Sequence, residues 1–340
     1  MRCLALAQAL TARGATCAFA APPAAAAVLD AFAGEEIERL LPGDLAADAP
    51  AAITAWGAEV VVVDHYDMDV THERGLREGR RRIVVIDDLA DRRHDCDILI
   101  DPSLGRRAVD YGGLIPEGAT ILTGPNHALI RAGFAAARPE ALKRRSGPGA
   151  PKRLLISMGL TDVGGITSEV LRVVQPLAQR LQIEVVVGRD APSRPGLERS
   201  LGLALHVDAR NMAELLTGAD IAIGGGGASV WERACLGLPS IDVILADNQR
   251  AQALALADRG GALAVDMAAP DAAARLEDAF VRLRDEVELR ARMSRTSAAI
   301  CDGKGAERTA EVILKSAPAA PRPAEPPTAR RMPKGGFGNF

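Results

Sequence analysis

The chain has 340 residues, of which 48% are hydrophobic, 25% charged and only 3% aromatic, with a formal net charge of −3. This length predicts two domains with aliphatic cores. The charge balance and the scarcity of stacking rings argue against a nucleic-acid partner. No apolar run approaches the roughly 18 residues of a membrane span, so no membrane partner is expected, and the five scattered cysteines, without a Cys-x-x-Cys pair, predict reduced thiols in the cytoplasm.

The first twelve residues read immediately as a helix, whereas a doubly wound domain normally opens with a strand that feeds its first helix. The N-terminal domain is therefore expected to lack its first strand. Short aliphatic runs then alternate with Ala/Leu/Arg-rich segments, the rhythm of βαβ units with strands buried on both faces. Strands are predicted over Glu59 to Asp64, Arg82 to Asp87, Ile98 to Ile100 and Ala119 to Leu122. The second half adds Arg153 to Ser157, Gln182 to Val187, Leu203 to Val207, Ile221 to Ile223, Ser240 to Val243 and Gly261 to Val265. These form two Rossmann-like α/β domains, 1–137 and 152–316, joined by a basic linker over 138–151. Helices are predicted over Glu277 to Arg295 and Ala306 to Ser316, and the Pro/Ala/Arg/Gly-rich segment 317–340 is expected to be a disordered tail.

Five polar stretches fall where predicted strands end, the edge at which open α/β sheets bind ligands. In IGGGGASVWERACLGLP, a strand runs into consecutive glycines and then a helix. Gly226 and Gly227 would let the backbone approach phosphate oxygens, Ser229 adds a hydroxyl, and the helix offers unpaired N–H groups. Glu232, one turn on, is placed to accept both hydroxyls of a ribose, or else is a surface carboxylate favoured by the helix dipole. Ser157, Met158 and Gly159 form a second such turn, which is either a ligand contact or merely a tight connection. Asp247, Asn248 and Gln249 follow the strand Ser240 to Val243, where they either bind sugar hydroxyls and orient a water or cap the next helix. In the first half, Asp64, His65 and Tyr66 end one strand and Asp87, Asp88 and Asp91 end another. Asp64 could orient His65 as a proton-handling pair, although an isolated histidine is more often structural. His94, Cys96 and Asp97 lack tetrahedral ligand spacing, so no metal is expected, and no cofactor.

Taken together, MRCLALAQAL, VVVDHYDMD, IDDLADRRHDCDILIDPSLG, GPNHALIRAGF, LLISMGLTD, NMAELLTGAD, IGGGGASVWERACLGLPSI and ADNQ resemble the UDP-sugar hydrolases of pseudaminic acid biosynthesis, GT-B-type relatives of the glycosyltransferase that adds GlcNAc to lipid I. The resemblance spans most of residues 1–315. It implies a GT-B-like fold and metal-independent hydrolysis of UDP-2,4-diacetamido-2,4,6-trideoxy-β-L-altropyranose to free sugar and UDP. It implies that Gly226, Gly227 and Ser229 hold phosphate, Glu232 the ribose and Asn211 with Met212 the uracil. Arg2, Ser157, Met158, Gly159, Asp247 and Gln249 are further expected substrate contacts, with Tyr66, Asp64 and Asn248 at the reacting sugar.

The family opens with a strand and Gly-x-Gly-His-x-Met-Arg-Cys, whose histidine is the expected catalytic group. The sequence begins at that methionine, Met1, so the histidine is expected two residues upstream, either because the start is assigned internally or because the chain is truncated. Leu160, Gly165, Gly225, Ala228 and His127 also depart from the family pattern. Two other readings share the UDP pocket: a GT-B glycosyltransferase that passes the sugar to an acceptor, and a catalytically impaired UDP-sugar-binding form.

Overall fold

The computed structural model describes residues 1–34, 37–40, 42–147 and 149–316, so the expected disordered tail, 317–340, lies outside the described residues. The chain builds two parallel sheets with helices on both faces and a small third sheet. The first sheet has the order β3-β4-β5-β6, from Val60–Val63, Arg82–Ile86, Ile98–Asp101 and Thr120–Thr123. The larger sheet comprises β7 (Arg153–Ser157), β8 (Gln182–Val187), β9 (Leu203–Val207), β10 (Ile221–Gly225), β11 (Ser240–Ile244) and β12 (Leu263–Asp266). Its order is β12-β11-β10-β7-β8-β9, every pairing parallel, so the direction of winding reverses between β7 and β10.

All ten strands read from the sequence are present, with ends within two residues of those predicted, because each is an aliphatic run that the fold buries on both faces. Along β7, Leu154 and Ile156 pack into the core on one side and Leu155 into the core on the other. In β8, Ile183, Val185 and Val187 are separated from Val186 in the same way. This is the period-two pattern of a pleated strand covered above and below. The first sheet repeats it: Val84, Ile86, Ile98 and Ile100 share one cluster, Ile83, Val85 and Leu99 the other.

Two strands escaped the sequence reading. Ala18–Ala20 (β1) and Glu38–Leu40 (β2) pair in parallel as a separate two-stranded sheet. Three residues each, without a β-branched run, carry no strand signal. The C-terminal helical segment is also divided, into Ala272–Asp285 and Val287–Ile300. Glu286 between them has extended backbone (φ −88°, ψ 95°). Arg290 donates to the carbonyls of Leu283 (2.8 Å) and Arg284 (2.7 Å), supplying acceptors at the first helix's end with the donors they would otherwise lack.

The expected linker is a correction. The helix Ala132–Arg145 runs through Pro139 and packs against the helix Met212–Gly218 on the second sheet, so residues 138–145 already belong to that side. The chain crosses earlier, around Leu129, which packs in the first-sheet core, while Ala128 and Ile130 pack in the second. Two of the basic residues that suggested solvated linker are satisfied internally, while Lys143 and Arg144 are exposed. Arg138 reaches the carbonyls of Ala298 (2.7 Å), Cys301 (2.9 Å) and Cys235, all near helix ends. Arg145 reaches those of Leu216 (2.6 Å) and Ala219 (3.0 Å). The last described helix, Gly305–Lys315, returns to the first sheet, where Ala306, Ala310 and Ile313 pack with Leu6 and Leu10 of the helix Arg2–Thr11.

Arg138→Ala would leave three carbonyls of well-buried residues without their donor. A loss of about 2 to 4 kcal/mol in chemical denaturation is expected; an unchanged midpoint would remove Arg138 from the joint between these helices.

Candidate functional site

The carboxyl ends of the two sheets border one cleft with two adjoining compartments, which share Met1, Arg2, Leu129 and Ala228. One, about 370 Å³, is mainly apolar and lies over the reversal point of the second sheet, with Ser157, Gly159, Met212, Ser229 and Glu232 on its walls. The other, about 570 Å³, is more polar and is lined by Asp64, Tyr66, Asp88, Arg106, Gly226, Gly227, Asn248 and Gln249.

Two turns flank the reversal point. After β7, Gly159 adopts φ +105°, a conformation side chains rarely tolerate. The turn is pinned by Asp162, fully buried, whose oxygens accept from Thr167 N (2.9 Å), Thr167 Oγ1 (2.6 Å) and Ser193 N (3.0 Å). After β10, the Gly226 amide is taken by the Val243 carbonyl at 2.8 Å, while among the described residues no acceptor takes the amides of Gly227, Ala228 and Ser229. A Cβ on Gly226 would sit 3.3 Å from both Ala253 Cβ and Val243 O. Glycine there lets the helix Asp247–Asp258 pack close, bringing Asn248 and Gln249 onto the polar wall.

Glu232 lies within reach of Arg131 and Arg233. Burial raises its carboxyl above the usual range, and the two arginines oppose that shift. Arg131 also lines this compartment, with its guanidinium 5.4 Å from the centre of the Phe134 ring.

On the polar side, Arg2 forks between two strand ends, reaching Asp64 Oδ1 at 2.6 Å through Nη2 and Asp88 Oδ2 at 2.8 Å through Nη1. Asp64 Oδ2 also accepts from the Cys3 thiol at 3.0 Å. Burial would raise the Asp64 carboxyl, but the hydrogen bonds and charge of Arg2 outweigh it and hold the group below the usual range. Tyr66 accepts from Asn248 Nδ2 at 3.0 Å and donates to Asp88 Oδ2 at 3.4 Å. This contact joins the two sides of the cleft, and burial together with the Asp88 charge raises the phenol above its usual range. Among the described residues, Asp88 Oδ1 is buried without a hydrogen-bond partner.

The structure thus brings together Arg2, Asp64, Tyr66, Ser157, Gly159, Met212, Gly226, Gly227, Ser229, Glu232, Asn248 and Gln249. Three expected contacts lie elsewhere. The Met158 side chain is buried in the second-sheet core, Asn211 turns back to Glu214 Oε2 at 3.3 Å, and the Asp247 side chain is 98% exposed beside Arg250. The suggested Asp64–His65 pair is not formed: Asp64 is held by Arg2 and Cys3, and His65 Nδ1 accepts the Asp67 amide at 3.2 Å. His94 instead meets buried Glu73, Nδ1 to Oε1, at 2.6 Å.

Sequence reasoning placed Asp88 at a strand end on the binding edge without giving it a role, and passed over Arg106 and Trp231 as wall residues. Arg106 is bound to Asp101 Oδ2 at 2.5 Å and donates to the Asp88 carbonyl at 2.9 Å. The signal available was its place just after a strand ending in Asp101.

The arrangement, two facing doubly wound units with a cleft between their strand ends, agrees with solved structures. MurG of Acinetobacter baumannii superposes with a TM-score of 0.60 at 16% identity, covering 93% of this chain and 95% of that one. The fold is GT-B. The MnaA–UDP complex of S. aureus gives a TM-score of 0.62 at 12% identity over 92% of each chain. Residues 171–312 match the model of the glycosyltransferase family 28 C-terminal domain. Among curated proteins, the UDP-2,4-diacetamido-2,4,6-trideoxy-β-L-altropyranose hydrolase of Campylobacter jejuni is 26% identical over 207 residues, 59% of this chain and 72% of that protein. Among the described residues of this GT-B chain, no helix is long and apolar enough to cross a membrane, and no group of three His, Cys, Asp or Glu side chains could hold a metal ion.

The depressed Asp64 carboxyl fixes the sign of a pH effect. With an ordinary value of 3.8 and a lower one in the folded state, the unfolded chain binds more protons in that window, so the contribution of Asp64 is present above it and lost as pH falls. Asp64→Asn is therefore expected to flatten the acid side of the melting-temperature profile between about pH 5 and pH 2; parallel wild-type and variant profiles would remove the Arg2–Asp64 pair from acid sensitivity.

Proposed function

We propose that this protein binds a UDP-linked sugar across the cleft and hydrolyses it to UDP and the free sugar, with a diacetamido-trideoxy hexose of the altropyranose type as substrate. The observation that carries the reading is the division of the cleft: an apolar compartment ending at Glu232 and the glycine turn, continued by a polar one where Tyr66 and Asn248 meet. A uracil would rest in the apolar part beside Met212, with the ribose hydroxyls on Glu232. The diphosphate would lie against the open amides of Gly227, Ala228 and Ser229, which stabilise its charge as it leaves, without a metal. Similarity to the hydrolase of C. jejuni supports the choice of reaction and sugar, and the UDP bound by a protein of like fold supports the nucleotide.

In the proposed step, a water oxygen bonds to the anomeric carbon as the bond from that carbon to the β-phosphate oxygen breaks. UDP departs with the electron pair, and the water gives up one proton. Asn248 and Tyr66 orient the sugar and the water. Asp64, with its oxygens on Arg2 and Cys3, holds Arg2 rather than reacting; Asp88, whose side chain is partly exposed on this wall beside Tyr66, is the carboxylate suited to accept a proton.

A second reading, transfer of the sugar to an acceptor, draws support from the glycosyltransferase family 28 match. UDP release from the altropyranose-configured UDP-sugar, measured with and without added acceptors, separates the two. Release in water alone supports hydrolysis, whereas release only with an acceptor sinks it; UDP binding without release under either condition would mark a binding protein.

Two substitutions test the site. Glu232→Ala is expected to weaken UDP binding by about 1 to 3 kcal/mol in calorimetry, and unchanged affinity would take Glu232 off the ribose. Asn248→Ala should lower kcat more than it weakens UDP binding; the reverse pattern would refute a place beside the reacting sugar.

A further inference from the structure

Beneath the glycine turn lies a buried ion pair with no place in the chemistry above. Arg233, on the helix Ser229–Cys235, is 3% exposed, and Asp242, on β11, is fully buried. Arg233 Nη2 donates to Asp242 Oδ1 at 2.8 Å and to the Gly225 carbonyl at 2.8 Å. Its Nη1 donates to Ser229 Oγ at 3.1 Å, and that hydroxyl reaches the same Gly225 carbonyl at 3.3 Å. One guanidinium therefore ties the last residue of β10 to the first residue of the following helix, spanning the turn from inside. Gly224 makes room for it: a Cβ there would overlap Arg233 Nη1 and approach the Ser157 carbonyl to 3.0 Å.

Stability alone does not account for this pair. Taking two charges out of water costs several kcal/mol per ion, and well-packed apolar residues in place of a buried pair are often neutral or stabilising. The pair is also incompletely satisfied, since among the described residues Arg233 Nε and Asp242 Oδ2 are buried without hydrogen-bond partners. What the fork does achieve is directional. It turns the Gly225 carbonyl and the Ser229 hydroxyl inward, and the three open amides of the turn are left for a ligand. Arg233 also lines the compartment that holds Glu232, whereas Asp242 does not.

We infer that Arg233 is a positioning residue that holds the turn Gly225–Ser229 in its anion-accepting shape, making the site prefer a nucleoside diphosphate over the bare nucleoside. The inference rests on the reading of the cleft as a UDP site. A nucleoside without phosphates does not use the turn, so loss of the fork costs the phosphorylated ligand more than the nucleoside, and any loss through Glu232, which Arg233 also faces, is common to both.

The test compares UDP and uridine affinities, by calorimetry, for wild type, Arg233→Lys and the double variant Arg233→Met/Asp242→Leu. The double variant removes both charges together and so is expected to fold, while Arg233→Lys keeps a charge opposite Asp242 but loses the fork, which keeps the question open to answer if the double variant does not fold. The ratio of UDP to uridine affinity is expected to fall roughly tenfold or more in both. An unchanged ratio, or equal losses for the two ligands, overturns the inference while leaving the UDP site standing. Wild-type protein that binds neither ligand overturns the UDP reading itself.

Discussion

Parallel strands cannot return at their own ends, so every crossover helix must cover a face of the sheet and every strand must discharge its loop at the same edge. The second sheet obeys this throughout: all of its pairings are parallel, and its order reverses between β7 and β10. At that reversal the loops after the two strands run to opposite faces and leave a gap at the edge. The Ser157–Gly159 turn and the Gly226–Ser229 turn border the gap, and the apolar compartment lies over it. Nothing in either turn would make a site without the sheet that separates and aims them.

The close approaches that the site requires are permitted by glycine at two positions for different reasons. Gly159 takes a positive φ that lets the chain leave β7 sharply. Gly226 has ordinary backbone but little space for a Cβ, because the helix Asp247–Asp258 packs against it. The second constraint links the anion side of the cleft to the sugar side, since the helix that crowds Gly226 is the one that delivers Asn248 to Tyr66. Arg2 performs a similar connection on the opposite wall by holding Asp64 and Asp88, from the ends of two neighbouring strands, on one guanidinium. Arg2, Asp64 and Asp88 on this wall therefore satisfy one another's charge, with Asp88 Oδ1 buried and without a hydrogen-bond partner among the described residues.

The helix Ala132–Arg145 shows how composition misleads when polar groups are used internally. Arg138 and Arg145 look like linker residues in the sequence, yet their guanidinium groups serve carbonyls at helix ends while their apolar stems lie along the core. Asp247 and Asn211 mislead in the opposite sense. Both stand in polar stretches near strand ends, and helical geometry turns one to solvent and the other to Glu214. At the first turn of its helix Asp247 is rotated about 100° from Asn248, and its side chain stands in solvent while Asn248 and Gln249 line the cleft.

By itself, the sequence determined the ten strands of the two main sheets, their burial on both faces and the stretches that gather at the binding edge. It could do so because each depends on local properties: aliphatic runs, glycine and helix periodicity. It did not determine the crossing point near Leu129, the return of Gly305–Lys315 to the first sheet, or the pairing of β1 with β2. Nor could it reveal that Asp64 is held by Arg2 rather than by His65, or that Arg233 and Asp242 meet under the turn. These are contacts between side chains brought together from separate elements, and their partners are selected by distance in the folded molecule, which no spacing along the chain encodes.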